Sequence, residues 1–406
     1  MTSCPAESQR RALSRMHILA GARIFTGETI LDGHSLLVQD SEIIDILPAG
    51  RHRQDAERID LPESGLLVPG VIDLQVNGGG GVLFNDTPTL EGALAIAAAH
   101  RRLGTTSLLP TVITDTSAIM LAAAHAAAQA ASMPGSGVLG VHMEGPFFNP
   151  ERRGVHQRHF IRTPDEADIT SLCALPACFG PHGRVMLTLA PEQVPLAAIT
   201  RLVEAGVIVS GGHSAASLEC TQAALQAGLS GFTHLFNAMP PVASREPGIA
   251  LAAMTDAASM SGIIVDGIHV HPAVLRLALA TKPRGGLMLV SDSMPPAGTG
   301  LTEFMLQGRR ILRQNGRLLT EDGVLAGADI DLLQAVRHAM ALLGVGLEEA
   351  LRMASLYPAR FLGLDHRLGR LAPGYQADIV LLDSALHPAA VWVAGQRAAP
   401  SQVIVQ

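Results

Sequence analysis

Lysine is almost missing from this chain of 406 residues: Lys282 is the only one. A phosphate-binding loop of the Gly-Lys-Ser/Thr kind is therefore excluded, and Schiff-base chemistry has a single candidate. Basic residues number 29 against 36 acidic ones, a net charge of −7. The chain thus lacks the positive footprint of a general nucleic-acid binder. Cysteine is scarce too. Cys4, Cys173, Cys178 and Cys220 are too scattered for a disulfide framework or a zinc ribbon, so reduced thiols and a cytoplasmic location are expected. The stretch Met1 to Ser14 carries arginines but no apolar h-region, and no secretory leader is expected. The Ala-rich run Ala118 to Ala131 is too short for a membrane span and contains His125 and Gln129.

What is present points to a large folded core. Apolar residues make up 48% of the chain, charged ones 16%, and mean hydropathy is +0.29, the reverse of a disordered composition. Short β-like pieces occupy Met16 to Pro62: His17 to Ile24, Ser35 to Val38 and Ile43 to Leu47. The same texture returns in Ala377 to Leu382 and Ala390 to Val393, so both ends are expected to build a small antiparallel sheet assembly. Between them lie eight apolar runs: Leu67 to Leu74, Ser107 to Val112, Val138 to Met143, Val185 to Leu189, Val207 to Val209, Gly231 to His234, Gly262 to Val265 and Leu287 to Val290. Helical segments separate most of them. Continuous apolar strands alternating with helices imply a parallel sheet, and eight units fit a (β/α)8 barrel. A doubly wound open sheet is the alternative architecture.

Active residues of a barrel sit at the C-terminal ends of its strands. The first run ends in Asp73, Gln75 and Asn77, the third in His142 and Glu144, followed by His156. The fifth leads to His213, the sixth to His234, the seventh to Asp266, His269 and His271, and the eighth to Asp292. One carboxylate and two imidazoles from separate strand ends make a three-ligand metal site with one coordination position open. Glu144, His213 and His234 are the candidate ligands. Each His alone is more often a packed or surface residue; their coincidence at strand ends carries the reading. Asp292 is the candidate general base, although an Asp there could equally cap a helix or open a turn.

Several stretches together resemble a known family. They are Pro-Gly-Val-Ile-Asp-Leu-Gln-Val-Asn-Gly (69–78), His-Met-Glu-Gly-Pro-Phe-Phe-Asn (142–149), Gly-His-Ser (212–214) and Thr-His-Leu-Phe-Asn-Ala-Met-Pro (233–240). Arg-Glu-Pro-Gly (245–248), Asp-Gly-Ile-His-Val (266–270), Val-Ser-Asp (290–292), Leu-Ala-Gly (325–327) and Tyr-Pro-Ala-Arg (357–360) complete the series. The sequence resembles the N-acetylglucosamine-6-phosphate deacetylases of the amidohydrolase superfamily, over about residues 17 to 395. The resemblance implies a catalytic barrel over 66–364 and a small β-sandwich from 1–65 and 365–406. It implies hydrolysis of N-acetyl-D-glucosamine 6-phosphate to D-glucosamine 6-phosphate and acetate, in amino sugar catabolism. Glu144, His213 and His234 would bind one divalent ion, Zn2+ first, with Fe2+, Mn2+ or Co2+ as alternatives. Asp292 would be the acid/base and His156 would polarise the acetyl carbonyl. Val155, His156, Asn237, Ala238, Arg245, Asp266, His269, Leu325, Ala326 and Gly327 would contact the substrate. Arg245 would reach the phosphate in a neighbouring subunit, which implies a homodimer; no nucleic-acid or membrane partner is implied.

Two departures from related enzymes bear on the metal count. Many amidohydrolases carry His-x-His at the end of strand 1, where this chain has Gln75-x-Asn77; neutral amides are poor ligands for such ions, so a single-metal site is expected. The fourth run has no lysine for a bridging carbamate. Gly78 to Gly81 is expected to make a tight turn in preference to an anion cradle. A deacetylase for N-acetylgalactosamine 6-phosphate or an N-acyl amino acid is the alternative, and a non-catalytic binding barrel the more distant one.

Overall fold

The computed structural model describes residues 15–51 and 53–398. Cys4 and the leader reading at Met1 to Ser14 lie outside the described residues. The centre is an eight-stranded, all-parallel sheet whose strands follow one another in chain order. We label them β1 (Val71–Val76), β2 (Thr105–Ile113), β3 (Gly140–Glu144) and β4 (Arg184–Leu189). Then come β5 (Val207–Gly211), β6 (Gly231–Phe232), β7 (Met260–Ile263) and β8 (Leu287–Leu289). Each expected apolar run overlaps one of these strands. They are buried almost throughout, as parallel strands covered by helices must be. The sheet is that of a (β/α)8 barrel, and the doubly wound alternative falls away.

Helices cover the outside, and their starts are legible in the sequence. Thr89 caps Leu90–Arg102 by accepting from Gly92 N, and Thr116 caps Ser117–Ala131 through Ile119 N. Asp165 and Asp168 form a reciprocal capping box at Glu166–Ala174. The Ala-rich run is therefore a barrel helix. Among the described residues no helix is long and apolar enough to cross a membrane.

The end assemblies differ from expectation in three respects. The run Leu67 to Leu74 is two strands. Leu66–Pro69 belongs to a six-stranded end sheet, and the chain then passes through Gly70 into β1. A Cβ on Gly70 would lie 2.2 Å from Thr106 Oγ1, so only glycine fits between the two sheets. His17 to Ile24 is likewise split by Gly21 into Met16–Ala20 and Arg23–Phe25, which enter different sheets. The end sheets are also mixed: Leu66–Pro69 runs parallel to Arg23–Phe25 and antiparallel to Ile379–Leu382.

A four-stranded antiparallel sheet, Glu303–Leu306, Arg309–Gln314, Arg317–Thr320 and Leu325–Ala328, is inserted after β8. Its inner face packs Leu306, Ile311, Leu318 and Ala326 against Val155 and Met294. It forms one wall of the site described next.

Lys282 lies at the opposite end, just before β8. Its buried Nζ donates to the carbonyls of Asp256 and Ser259, both at 2.6 Å. Burial pushes this amine down to about 8. It ties two loops together, far from the strand C-termini.

Candidate metal centre and active site

Glu144 is the last residue of β3, while His213 and His234 follow β5 and β6 closely. Glu144 Oε1 lies 3.2 Å from His213 Nε2 and 3.0 Å from His234 Nε2, and the two imidazole nitrogens are 3.1 Å apart. All three side chains are buried. Among the described residues they are the one group of His, Cys, Asp and Glu that could hold a metal, with donor atoms within 4.8 Å of one another.

The chemistry of this donor set fits a divalent cation. His213 Nδ1 donates to the carbonyl of Arg152 over 2.9 Å, which leaves Nε2 with its lone pair facing inward. The His213 ring is also stacked on Phe148, with centroids 4.2 Å apart. Burial alone would raise the Glu144 carboxyl, but the His213 and His234 imidazoles beside it outweigh burial and hold the group well below its usual range. Two nitrogen donors and a carboxylate aimed at one buried point repel one another without a positive charge between them.

Asp292 follows β8. Its backbone N–H donates to Gln75 O over 3.0 Å. Gln75 Nε2 and Asn77 Nδ2 both donate to Asp292 Oδ1, over 3.1 and 2.6 Å, and Gln75 Nε2 also reaches Glu144 Oε1 at 3.1 Å. The pair at the end of β1 thus holds the candidate base. Sequence reasoning weighed Gln75 and Asn77 only as missing metal ligands; their place at the strand end was the signal for something more. Burial first, then the charge of Glu144, pushes Asp292 up to about 6.

His213, His234 and Asp292 all have left-handed backbone, with φ of 50°, 33° and 51°. Such conformations cost a non-glycine residue about 1 kcal/mol or more. Three site residues share the strain, each just beyond the C-terminal end of its strand.

A cavity of about 170 Å³ opens on these groups. Its walls include Val155, His156, Asn237, Ala238, His269, Leu325 and Gly327, together with Met294 and Val324. His156 packs edge-on against His213, with centroids 4.6 Å apart, and burial pushes it down to about 3, so its ring is neutral. Asp266 does not line the cavity. Its Oδ2 accepts from His269 Nδ1 at 2.5 Å, which leaves His269 Nε2 as the nitrogen available to the cavity. Ala326 turns away into the apolar cluster, between Leu325 and Gly327 on the cavity side, as strand alternation requires. Arg245 is exposed on the loop after β6 and does not reach the cavity of its own chain.

Two other histidines resolve differently. His142 lies inside the barrel below the cavity, with Nδ1 donating to Leu74 O at 3.1 Å and Nε2 2.7 Å from Thr188 Oγ1. It packs there and does not line the cavity. His271 caps the helix Pro272–Thr281. Gly78–Gly79 pairs with Val82–Leu83 in a small hairpin whose tight turn is Gly80 and Gly81.

Comparison with known proteins agrees with this geometry. Residues 66–406 match the model of the amidohydrolase family, and residues 16–63 match the NagA composite domain. An N-acetylgalactosamine-6-phosphate deacetylase of Shewanella sp. (strain ANA-3) is 41% identical, covering 94% of this chain and 95% of that protein. The N-acetylglucosamine-6-phosphate deacetylase of Homo sapiens is 37% identical over 93% of this chain and 96% of its own length. The crystal structure of N-acetylglucosamine-6-phosphate deacetylase from Pasteurella multocida superposes with a TM-score of 0.90 at 34% identity, covering 95% and 100% of the two chains.

Proposed function

The chain belongs to the amidohydrolase family, and from that premise we propose that this hydrolase removes the acetyl group of N-acetyl-D-glucosamine 6-phosphate, yielding D-glucosamine 6-phosphate and acetate. The observation that carries the reading is that Glu144, His213, His234 and Asp292 face one cavity. Relatives of this length and identity named as deacetylases of acetylated amino sugar phosphates support the substrate class.

Glu144, His213 and His234 would hold one divalent ion, Zn2+ in the first instance, which supplies Lewis-acid polarisation when bound. Asp292 takes a proton from the attacking water as the C–O bond forms at the acetyl carbonyl carbon. Its raised pKa, about 6, suits a group that must both accept and release a proton near neutrality. His156, neutral by burial, donates an N–H to the carbonyl oxygen as negative charge develops there. Asp292 then returns the proton to the nitrogen while the C–N bond breaks, and the amine and acetate leave. Gln75 and Asn77 keep the carboxylate aimed during both transfers.

Asn237, Ala238 and His269, on the β6 and β7 side of the cavity, would hold the phosphorylated end of the sugar. Arg245 would complete that end in a second subunit of a homodimer, where its guanidinium can bind phosphate bidentately. A small sheet domain from 1–65 and 365–406 around a catalytic unit at 66–364, in a cytoplasmic enzyme, completes the proposal.

One observation favours a second reading. The Shewanella relative, at 41% identity, carries the name of the galacto enzyme. Measuring kcat/KM side by side for N-acetylglucosamine and N-acetylgalactosamine, each with and without the 6-phosphate, tests both. The phosphorylated gluco sugar is expected to lead. A lead for the phosphorylated galacto sugar would transfer the assignment to that epimer, and no acetate release from either phosphorylated sugar would overturn both.

A further inference from the structure

The sheet ladder runs from β1 to β8 without pairing its two ends. Among the described residues, β1 and β8 are joined by backbone only at their C-terminal rim, through Asp292 N to Gln75 O at 3.0 Å, Asn77 N to Ser293 O at 2.9 Å and Gly78 N to Ser293 O at 3.1 Å, with a single parallel bridge between Val76 and Ser293. Below that rim the join is made by a side chain. Asp73 is fully buried, and its Oδ1 accepts from Gln75 N and from Ser291 N, both at 3.2 Å. Ser291 Oγ in turn accepts from Ser293 N over 3.2 Å and makes a longer contact of its own across the seam, donating to Gln75 O at 3.4 Å. One carboxyl oxygen therefore ties the residue before Asp292 to the residue whose carbonyl and side chain both hold Asp292. Among the described residues the buried Asp73 Oδ2 has no partner, so the cost of burying this group is borne for the sake of the Oδ1 contacts.

We propose that Asp73 is a positioning residue for the reaction: its carboxyl replaces the absent ladder between the first and last barrel strands and fixes the backbone that carries Asp292. The inference rests on the reading of Asp292 as the acid/base. It assigns Asp73 no contact with substrate, since Asp73 does not line the cavity. Burial pushes the Asp73 carboxyl up to about 7, so a neutral amide with the same acceptor oxygen is a close replacement.

The test compares Asp73→Asn, Asp73→Ser and Asp73→Ala in the full-length, metal-loaded protein. Asn keeps the acceptor and is expected to hold kcat within about threefold of the wild type. Ala is expected to lower kcat about a hundredfold, the scale of a misplacement of about 1 Å in a reacting group. KM and metal content should stay within about twofold, and Ser should fall between Asn and Ala. Equal damage by Asn and Ala, near-normal kcat in Ala, or a parallel loss of KM and metal content would overturn the proposal. Where Ala does not fold, Ser takes its place under the same criteria. A crystal structure of the Ala or Ser variant reads the same point without turnover. Asp292 should leave Asn77 Nδ2, and an unmoved Asp292 would overturn the proposal even if the wild type proved inactive on amino sugars, a result that would count separately against the functional reading.

Discussion

Asn77 Nδ2 donates to Asp292 Oδ1 over 2.6 Å, the shorter of two amide contacts to that oxygen. Oδ2 of the same carboxylate carries no hydrogen bond among the described residues. One oxygen is held and the other is available to exchange a proton. This division of labour within one carboxylate gives the first two predictions.

Asp292→Asn keeps the size and the hydrogen-bonding reach of the side chain but cannot accept a proton. It should lower kcat by about 10²- to 10⁴-fold, the range of general acid–base contributions. KM and metal content should change little. Steady-state kinetics with elemental analysis of the same sample decides the point, and near-normal turnover would remove Asp292 from the chemistry.

Asn77→Ala removes the short contact while Gln75 still holds Oδ1. The carboxylate should gain freedom, and kcat should fall by about tenfold, equivalent to about 1.4 kcal/mol. Fold stability should fall by about 1–3 kcal/mol, the cost of depriving a buried charged acceptor of a partner. Denaturant melts beside the kinetics separate the two effects.

Chelation should abolish activity, and a divalent ion should restore it. The same treatment should destabilise the fold, because Glu144, His213 and His234 are left facing one another. An ion at a hundredfold excess over its Kd adds about 2.7 kcal/mol to stability, and a drop in Tm of the stripped protein reads it. Unchanged catalysis after complete removal of divalent ions would contradict the metal assignment.

Gly327 has φ of 69°, and a Cβ there would sit 2.6 Å from Met294 Cγ and 2.8 Å from Asp292 O. Gly327→Ala should therefore push the inserted sheet away from the base. A stability loss of about 1–3 kcal/mol is expected from strained backbone and overpacking, with a rise in KM because the cavity wall moves. Thermal melts and a KM measurement check both.

His100 is buried, with Nε2 donating to Gly78 O at 2.9 Å and Nδ1 without a partner among the described residues. Burial pushes its pKa from 6.5 down to about 4. The folded state thus binds fewer protons than the unfolded state between these values. The His100 contribution is fully present above about pH 6.5 and is lost as pH falls towards 4; over that window it amounts to about 3 kcal/mol. His100→Gln retains a donor and does not titrate. Its stability should fall less steeply from pH 6.5 to 4 than that of the wild type, as measured by urea melts across the range.

The barrel was legible because each parallel strand is buried on both faces and reads as an unbroken apolar run; Val185 to Leu189 is one such stretch. Strand ends then gave Glu144, His213, His234 and Asp292. His142 shares a strand face with Glu144, two residues on, so alternation cannot tell them apart; depth does, because Glu144 ends β3 at the rim while His142 is held below it by Leu74 O and Thr188. The end sheets were less legible. Pairing of Leu66–Pro69 with both Arg23–Phe25 and Ile379–Leu382 is non-local, and nothing in a local pattern announces it. The left-handed turns at His213, His234 and Asp292 are hidden for a different reason: these residues do not ordinarily adopt such backbone, and only the packing around the site imposes it. Arg245 illustrates the limit of a single chain, because the loop that carries it points to solvent.

The strand Leu66–Pro69 is flanked by a neighbour that leaves the ribosome long before it and by one, Ile379–Leu382, that leaves long after. During synthesis one of its edges stays raw until nearly the whole polypeptide has emerged, and raw edges recruit foreign strands. A nonsense codon anywhere in the intervening stretch would therefore leave a fragment with that edge open and prone to aggregate, and the need to shield it lasts until Ile379–Leu382 has emerged.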